Sequence, residues 1–331
     1  MPAMFLSWFV RTATACTPGA RLHAGRCASP ERPSGPRWGC AGTASCLAMP
    51  YAQSGALRVY FESTGHGPAV LLILGQGMPL EAGWRTAQRL SSSFRVLTFD
   101  NRDVGRSDRS PWPYLVTQMA RDAIAVLDAA NEQRAHVYGI SLGGMVAQEI
   151  ALGHRERVGA LILGATTPGG PLAIPQDPQA LTFFARAGAM GREEAEWAAV
   201  PYSYGERTRR DHGNRIAEDI TRRLSHAPSS VASVPETFAY LHQVTAAATH
   251  VAITRLAQIA APTLVVHGAQ DRIQSPDNAR TLARAIPGAE LKLWPDAGHL
   301  YMTDEPEADR DVARFLERHA ETRARVETSG R

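Results

Sequence analysis

The run VYGISLGGMVAQEI, Val137–Ile150, sets a serine between glycines where a strand pattern gives way to a helix pattern. Val137 and Tyr138 belong to an apolar, β-forming stretch, and GGMVAQEIAL beyond Ser141 reads as helix. Gly139-Ile140-Ser141-Leu142-Gly143 has the form G-x-S-x-G. A sharp strand-to-helix turn needs small neighbours, because larger side chains would strike the flanking backbone. Such a turn leaves the Ser141 hydroxyl exposed at the C-terminal edge of a sheet, where ligands bind in open parallel sheets. It also puts a helix N-terminus behind that hydroxyl, which favours a developing anion. The bland alternative is a tight turn that happens to contain serine, and the rest of the chain decides between them.

Working outward, LRVYFE from Leu57 alternates like a half-exposed strand. AVLLIL, Ala69–Leu74, is a continuous apolar run ended by Gly75 and Gly77, which predicts a buried strand, and FRVLTFD, Phe94–Asp100, predicts another. Ala120, Ala123, Ile124 and Leu127 give a helix over 114–130. AHVYG and VGALILG flank the serine helix as strands, and PTLVVHG after Ala261 is a further one. Ser275-Pro276 supplies an N-cap and first-turn proline for a helix facing inward through Ala279, Leu282, Ala283 and Ile286. AELKLW predicts a strand, and Ala308, Val312, Phe315 and Leu316 a closing helix over 306–319. Strands alternating with helices, several of them apolar throughout, predict an α/β fold with a mostly parallel central sheet flanked by helices. The alternation breaks at about 167–250, where REEAEWAAV and IAEDITRRL are helical and no good strand occurs. A helical cap inserted between two sheet strands is expected there.

The 331 residues, 44% hydrophobic and 20% charged, suit a globular protein with a substantial core. No apolar run reaches the ~18 residues of a membrane span. The net charge of +3 is unevenly placed, with Arg11, Arg21, Arg26, Arg32 and Arg37 against Glu31 in residues 1–48 and a nearly neutral remainder. No nucleic-acid surface is indicated. Cys16, Cys27, Cys40 and Cys46 all precede residue 49 and match no zinc spacing well. Residues 1–48, rich in Ala, Gly, Pro, Ser and Arg, are expected to be a disordered extension before a catalytic domain at 49–331. A signal or transit peptide is a weaker reading. Translation starting at Met49 is another, since MPYAQSGALRVYFESTG opens directly into strand pattern. Lys292 is the only lysine among 35 basic residues, as in a GC-rich coding sequence where spurious upstream starts arise easily. A cytoplasmic location is expected.

A serine hydroxyl is a poor nucleophile until a base takes its proton, and the base works best when a third group orients it. PTLVVHGAQD puts Asp271 just past a strand end, and WPDAGH puts His299 after the next strand. The order Ser, Asp, His is that of α/β-hydrolases. With LLILGQGMP, FDNRDVGRSD, VYGISLGG, PTLVVHGAQD and DAGH together, the chain resembles the α/β-hydrolase superfamily over roughly residues 50–320. It is similar within it to small-substrate hydrolases such as 3-oxoadipate enol-lactonases and aclacinomycin-type methylesterases. The resemblance implies Ser141 as nucleophile, Asp271 as orienting acid and His299 as base. It implies an oxyanion hole from Leu142 N–H and a second N–H in the upstream turn. That donor is Gln76, or Gly77, because Leu74-Gly75 replaces the usual His-Gly opening and the spacing to Trp84 is one residue longer.

The predicted activity is hydrolysis of a small-molecule carboxylic ester or lactone through an acyl-enzyme, with no cofactor and no metal. A cofactor-free haloperoxidase or perhydrolase, an acyltransferase and a non-catalytic ligand receptor are the alternatives. Dehalogenase and epoxide hydrolase chemistry needs an aspartate where Ser141 stands. Substrate identity and oligomeric state stay open. Asp100, Arg102, Gly105 and Ser107 read as a structural turn, and His267 as structural. His154, His242 and His250 are expected on the surface or the cap. Phe183, Phe184, Trp197, Tyr202, Tyr204 and Tyr240 either line a pocket or pack cap helices, and the Arg209-Arg210 and Arg222-Arg223 pairs read as solvated.

Overall fold

Alternate residues of a strand face opposite sides of a sheet, so a strand that is apolar throughout needs cover on both. The computed structural model, which describes residues 50–187, 190–225 and 236–329, provides it. The strands are β1 (Tyr51–Ser54), β2 (Leu57–Thr64), β3 (Ala69–Ile73), β4 (Arg95–Phe99), β5 (Ala135–Ile140), β6 (Val158–Gly164), β7 (Thr263–Gly268) and β8 (Glu290–Trp294). They form one sheet in the order β1-β2-β4-β3-β5-β6-β7-β8. The β1–β2 and β2–β4 pairings are antiparallel and the rest parallel. The expected extension over 1–48 and the alternative start at Met49 lie outside the described residues.

The helices between these strands are α1 (Trp84–Leu90), α2 (Val116–Ala129) and α3 (Leu142–Gly153), with α10 (Pro276–Ala285), α11 (Tyr301–Asp304) and α12 (Glu307–Ser329) in the C-terminal part. The pleat sorts the core into two layers. Leu71, Ile73, Val137, Leu161, Leu163 and Val265 pack with α2, α3 and α10. Val70, Leu72, Tyr138, Ile162, Leu264 and Val266 pack with α1, α11 and α12. Between β6 and β7 the chain runs through α4 (Pro178–Ala187), α5 (Arg192–Ala198), α6 (Val200–Ser203), α7 (Glu206–Asp211), α8 (Gly213–Ser225) and α9 (Glu236–Thr249). Its neck is closed by a bridge between Gly169 and Val251 and by Ala252 N–H donating to Pro168 O at 2.9 Å.

The insertion decides several side-chain readings and corrects that of Arg223. Tyr204, between α6 and α7, is buried, and Arg223, read as solvated, is buried with its Nε 2.9 Å from Glu196 Oε2. Phe183 stacks on Tyr202 at 5.2 Å, whereas Trp197 is 46% exposed. His242 and His250 are buried. The Asp100–Ser107 turn is structural as read. Asp100 accepts Leu80 N–H at 2.8 Å and Arg106 N–H at 2.9 Å, and Ser107 Oγ donates to Asp100 O at 2.6 Å. A Cβ on Gly105, whose φ is 53°, would overlap the Asp100 carboxylate. Arg102 makes a buried two-point pair with Asp122 at 2.5 and 2.7 Å.

His136 of β5 faces Gly159, is 5% exposed, and has no hydrogen bond at Nδ1. Burial, with His319 and Arg134 nearby, pushes it from the usual 6.5 down to about 4. The folded protein therefore holds a neutral imidazole that the unfolded chain would protonate below 6.5. The stability tied to it is present above that pH and is lost as pH falls towards about 4, by up to ~3 kcal/mol. We expect urea unfolding of His136→Gln to lose less stability than wild type between pH 6.5 and 4.5. Parallel losses in the two proteins would remove His136 from the account.

Candidate active site

Ser141 stands between the end of β5 and the start of α3 with φ 57° and ψ −121°, a conformation that costs a non-glycine residue about 1–3 kcal/mol. Its neighbours make the turn possible. A Cβ on Gly139 would overlap the carbonyl of Gly143, one on Gly143 would overlap the carbonyl of Ile73, and one on Gly144 would lie 2.5 Å from Thr166 Cβ. The turn is pinned by Ser141 N–H donating to Gly164 O at 2.9 Å and by Thr166 Oγ1 donating to Ser141 O at 2.7 Å. The side chain is left partly exposed at the C-terminal edge of the sheet.

Asp271 follows β7 by three residues and His299 follows β8 by five, at that same edge. His299 Nδ1 is 2.8 Å from Asp271 Oδ2, and both residues are buried. Asp271 Oδ1 accepts the Ile273 and Gln274 N–H groups at 2.8 Å each. Its Oδ2 has a second imidazole partner, His267 Nε2, at 2.9 Å. Burial acts to raise the Asp271 pKa, but the charge of His299 and the hydrogen bonds from His267 and His299 hold it well below the usual carboxylate range. A carboxylate only accepts, so both imidazole nitrogens are donors. His267 Nε2 also faces Gln274 O at 3.0 Å, a second acceptor that requires the same proton, and its Nδ1 is unpartnered. His299 with its proton on Nδ1 keeps a lone pair on Nε2. Ser141 Oγ has no protein hydrogen-bond partner among the described residues, His299 included.

The upstream turn passes directly by the serine: a Cβ on Gly75 would lie 3.2 Å from Ser141 Cβ and 3.6 Å from its Oγ. Met78 N–H returns to Gly75 O at 3.3 Å. Gly77 N–H donates to Gln243 Oε1 of α9 at 2.7 Å. Gln76 N–H has no acceptor among the described residues. Leu142 N–H is the first of α3, where no preceding turn supplies a carbonyl. The loop before His299 is fixed by Asp304, whose Oδ2 accepts Gly298 N–H at 2.7 Å and Gly205 N–H at 2.9 Å. Among the described residues no three His, Cys, Asp or Glu side chains gather as a metal would need. No helix there is long and apolar enough to cross a membrane.

The structure thus sets Ser141, Asp271, His299, Leu142 and Gln76 around one sheet edge and commits Gly77 to Gln243. No sequence signal singles out Gln243, and His267, structural by its place in a strand, also bonds to Asp271. The signal for His267 was its place four residues before Asp271, across a strand end that folds back on itself. Gln243 sits on a buried face of α9 between Ala239 and Ala246, with no motif to mark it.

The chain is 31% identical to a candidate carbamate hydrolase, RutD, of Azorhizobium caulinodans, over 80% of this chain and 96% of that one. Among solved structures it is similar to a thermophilic esterase from Thermogutta terrifontis, at 27% identity and a TM-score of 0.67, over 82% of this chain and 98% of the other. The enol-lactonase of Burkholderia xenovorans LB400 shares the fold, with a TM-score of 0.68 at 23% identity over 81% of this chain and all of that one (100%). The family model for the alpha/beta hydrolase fold matches residues 68–306, from β3 through β8 with the Ser141 turn and both downstream loops, and the chain belongs to that family.

Proposed function

We propose that the chain is a serine hydrolase that cleaves a small-molecule carboxylic ester or lactone, working in the cytoplasm. The observation that carries this reading is the buried His299 Nδ1–Asp271 Oδ2 hydrogen bond of 2.8 Å at the sheet edge where Ser141 is held at φ 57°. Asp271 fixes the tautomer that leaves His299 Nε2 free to take a proton. Ser141 Oγ attacks the carbonyl carbon as its proton passes to His299, a bond of the kind that often tightens only when substrate is bound. Leu142 N–H and Gln76 N–H receive the oxyanion. The tetrahedral adduct collapses, the leaving alkoxide takes the proton from His299, and Ser141 is left as an acyl ester. Water, deprotonated by His299, attacks that ester, and the acid and the free hydroxyl are released. The esterase and the carbamate hydrolase among the similar proteins support acyl transfer at a carbonyl. The choice of substrate rests on the helical insertion above the edge.

Nucleophile and base act in the same steps, so their losses overlap. Ser141→Ala and His299→Ala should each cost about 10⁶-fold in kcat, and the double variant scarcely more. Asp271→Asn should cost less, about 10⁴-fold, through the wrong imidazole tautomer. Steady-state kinetics on p-nitrophenyl esters of graded chain length and a lactone panel read this out. A folded Ser141→Ala protein with near-wild-type turnover would refute the mechanism.

His267 donates to the same Asp271 oxygen as the base. His267→Ala should lower kcat by about 10-fold, the scale of one charge-assisted hydrogen bond withdrawn from the orienting carboxylate. An unchanged kcat would confine His267 to packing.

A further inference from the structure

We infer that Gln243, on α9 of the helical insertion, is a positioning residue that holds the oxyanion loop in its working state. The inference rests on the serine hydrolase reading above. Gln243 is 1% exposed and spans two loops of the catalytic edge. Its Oε1 accepts Gly77 N–H at 2.7 Å, and its Nε2 donates to Arg102 O at 3.0 Å. The amide orientation follows from its partners, since a backbone N–H only donates and a carbonyl only accepts. His242 Nδ1 lies 3.3 Å from Asp103 Oδ2 and anchors the helix beside Gln243.

The object being held is a single turn. The Met78-to-Gly75 bond closes four residues, and Gly77 in third place has φ 66°, the left-handed value of a type II turn. Type I and type II turns differ by a flip of the central peptide, here Gln76 C=O with Gly77 N–H. Gln243 Oε1 stabilises one side of that flip, because it attracts the N–H and would repel the carbonyl. The loop is tied elsewhere through Asn101 Nδ2 on Leu74 O at 3.1 Å and Asp100 on Leu80 N–H. The bond from Gln243 is what fixes its middle. With Gly77 N–H so engaged, Gln76 N–H is the donor left beside Ser141. The insertion therefore supplies part of the oxyanion geometry as well as a cover.

The test compares wild type, Gln243→Leu, which removes both bonds, and Gln243→Glu, which keeps an acceptor for Gly77 N–H. Kinetics are expressed per active site titrated with a fluorophosphonate, so that misfolded protein does not count. For Gln243→Leu on a small activated ester we expect kcat to fall ~10–100-fold, less than the 10²–10³ of losing a donor outright, with KM changed by less than about 3-fold. The inhibition constant of a trifluoromethyl ketone, which forms an oxyanion on the serine, should rise by the same factor as kcat falls. By NMR hydrogen exchange, the Gly77 amide should be protected in wild type and in Gln243→Glu and exposed in Gln243→Leu. Wild-type kcat and ketone affinity in Gln243→Leu would overturn the inference whatever its melting temperature. So would a rise in KM at constant kcat, or a rapidly exchanging Gly77 amide in wild type should the variants not fold. Wild type that neither labels nor turns over would instead sink the serine hydrolase reading.

Discussion

The site depends on one backbone constraint: the chain must turn from β5 into α3 within a single residue, and that residue is Ser141 at φ 57°. Everything around the turn is cut to permit it. Gly139 and Gly143 let strand and helix pass without a Cβ between them, and Gly143 lets the helix approach the end of β3. β3 carries the loop with Gln76, so the close approach that makes the turn possible also brings an amide donor beside the serine. The strain is offset by the pairing of β5 with the buried strands on either side, β3 over His136–Gly139 and β6 over Val137–Ile140.

A second constraint is electrostatic. Asp271 is a buried carboxylate, and burial of a charge is unfavourable unless every lone pair is met. Two backbone amides and two imidazoles meet them. A carboxylate so satisfied stays ionised and stays in place, which dictates the tautomers of both His267 and His299. The helical insertion supplies the remaining order. Asp177 at its start holds Arg272, next to Asp271, at 2.8 Å, Ser203 O accepts Leu300 N–H at 2.9 Å beside His299, and Gln243 holds Gly77. Each downstream loop is thus buttressed by the helical insertion.

Much of this was legible in the sequence for physical reasons. Strands such as AVLLI and the LVV run of Leu264–Val266 are apolar on both faces, as a covered parallel sheet requires. The glycines around Ser141 announce a crowded turn. What stayed hidden depends on long-range contact. Arg223 looks like one of a solvated pair until Glu196, 27 residues earlier, folds against it. His267 looks like a strand residue until the chain turns back to set Asp271 at its Nε2. Gln243 reaches across 166 positions to Gly77, a distance over which local pattern carries no information.

The central claim is that Ser141 forms a covalent acyl intermediate. Quenching the hydrolysis of an ester or lactone in acid during the first turnover, and mapping the peptides by mass spectrometry, tests it directly. The account predicts the acyl mass on Ser141 in wild type, appearing before steady state, and its absence in Ser141→Ala. Rapid turnover with Ser141 unmodified at every quench time, and the acyl group found on another side chain or on none, would contradict it.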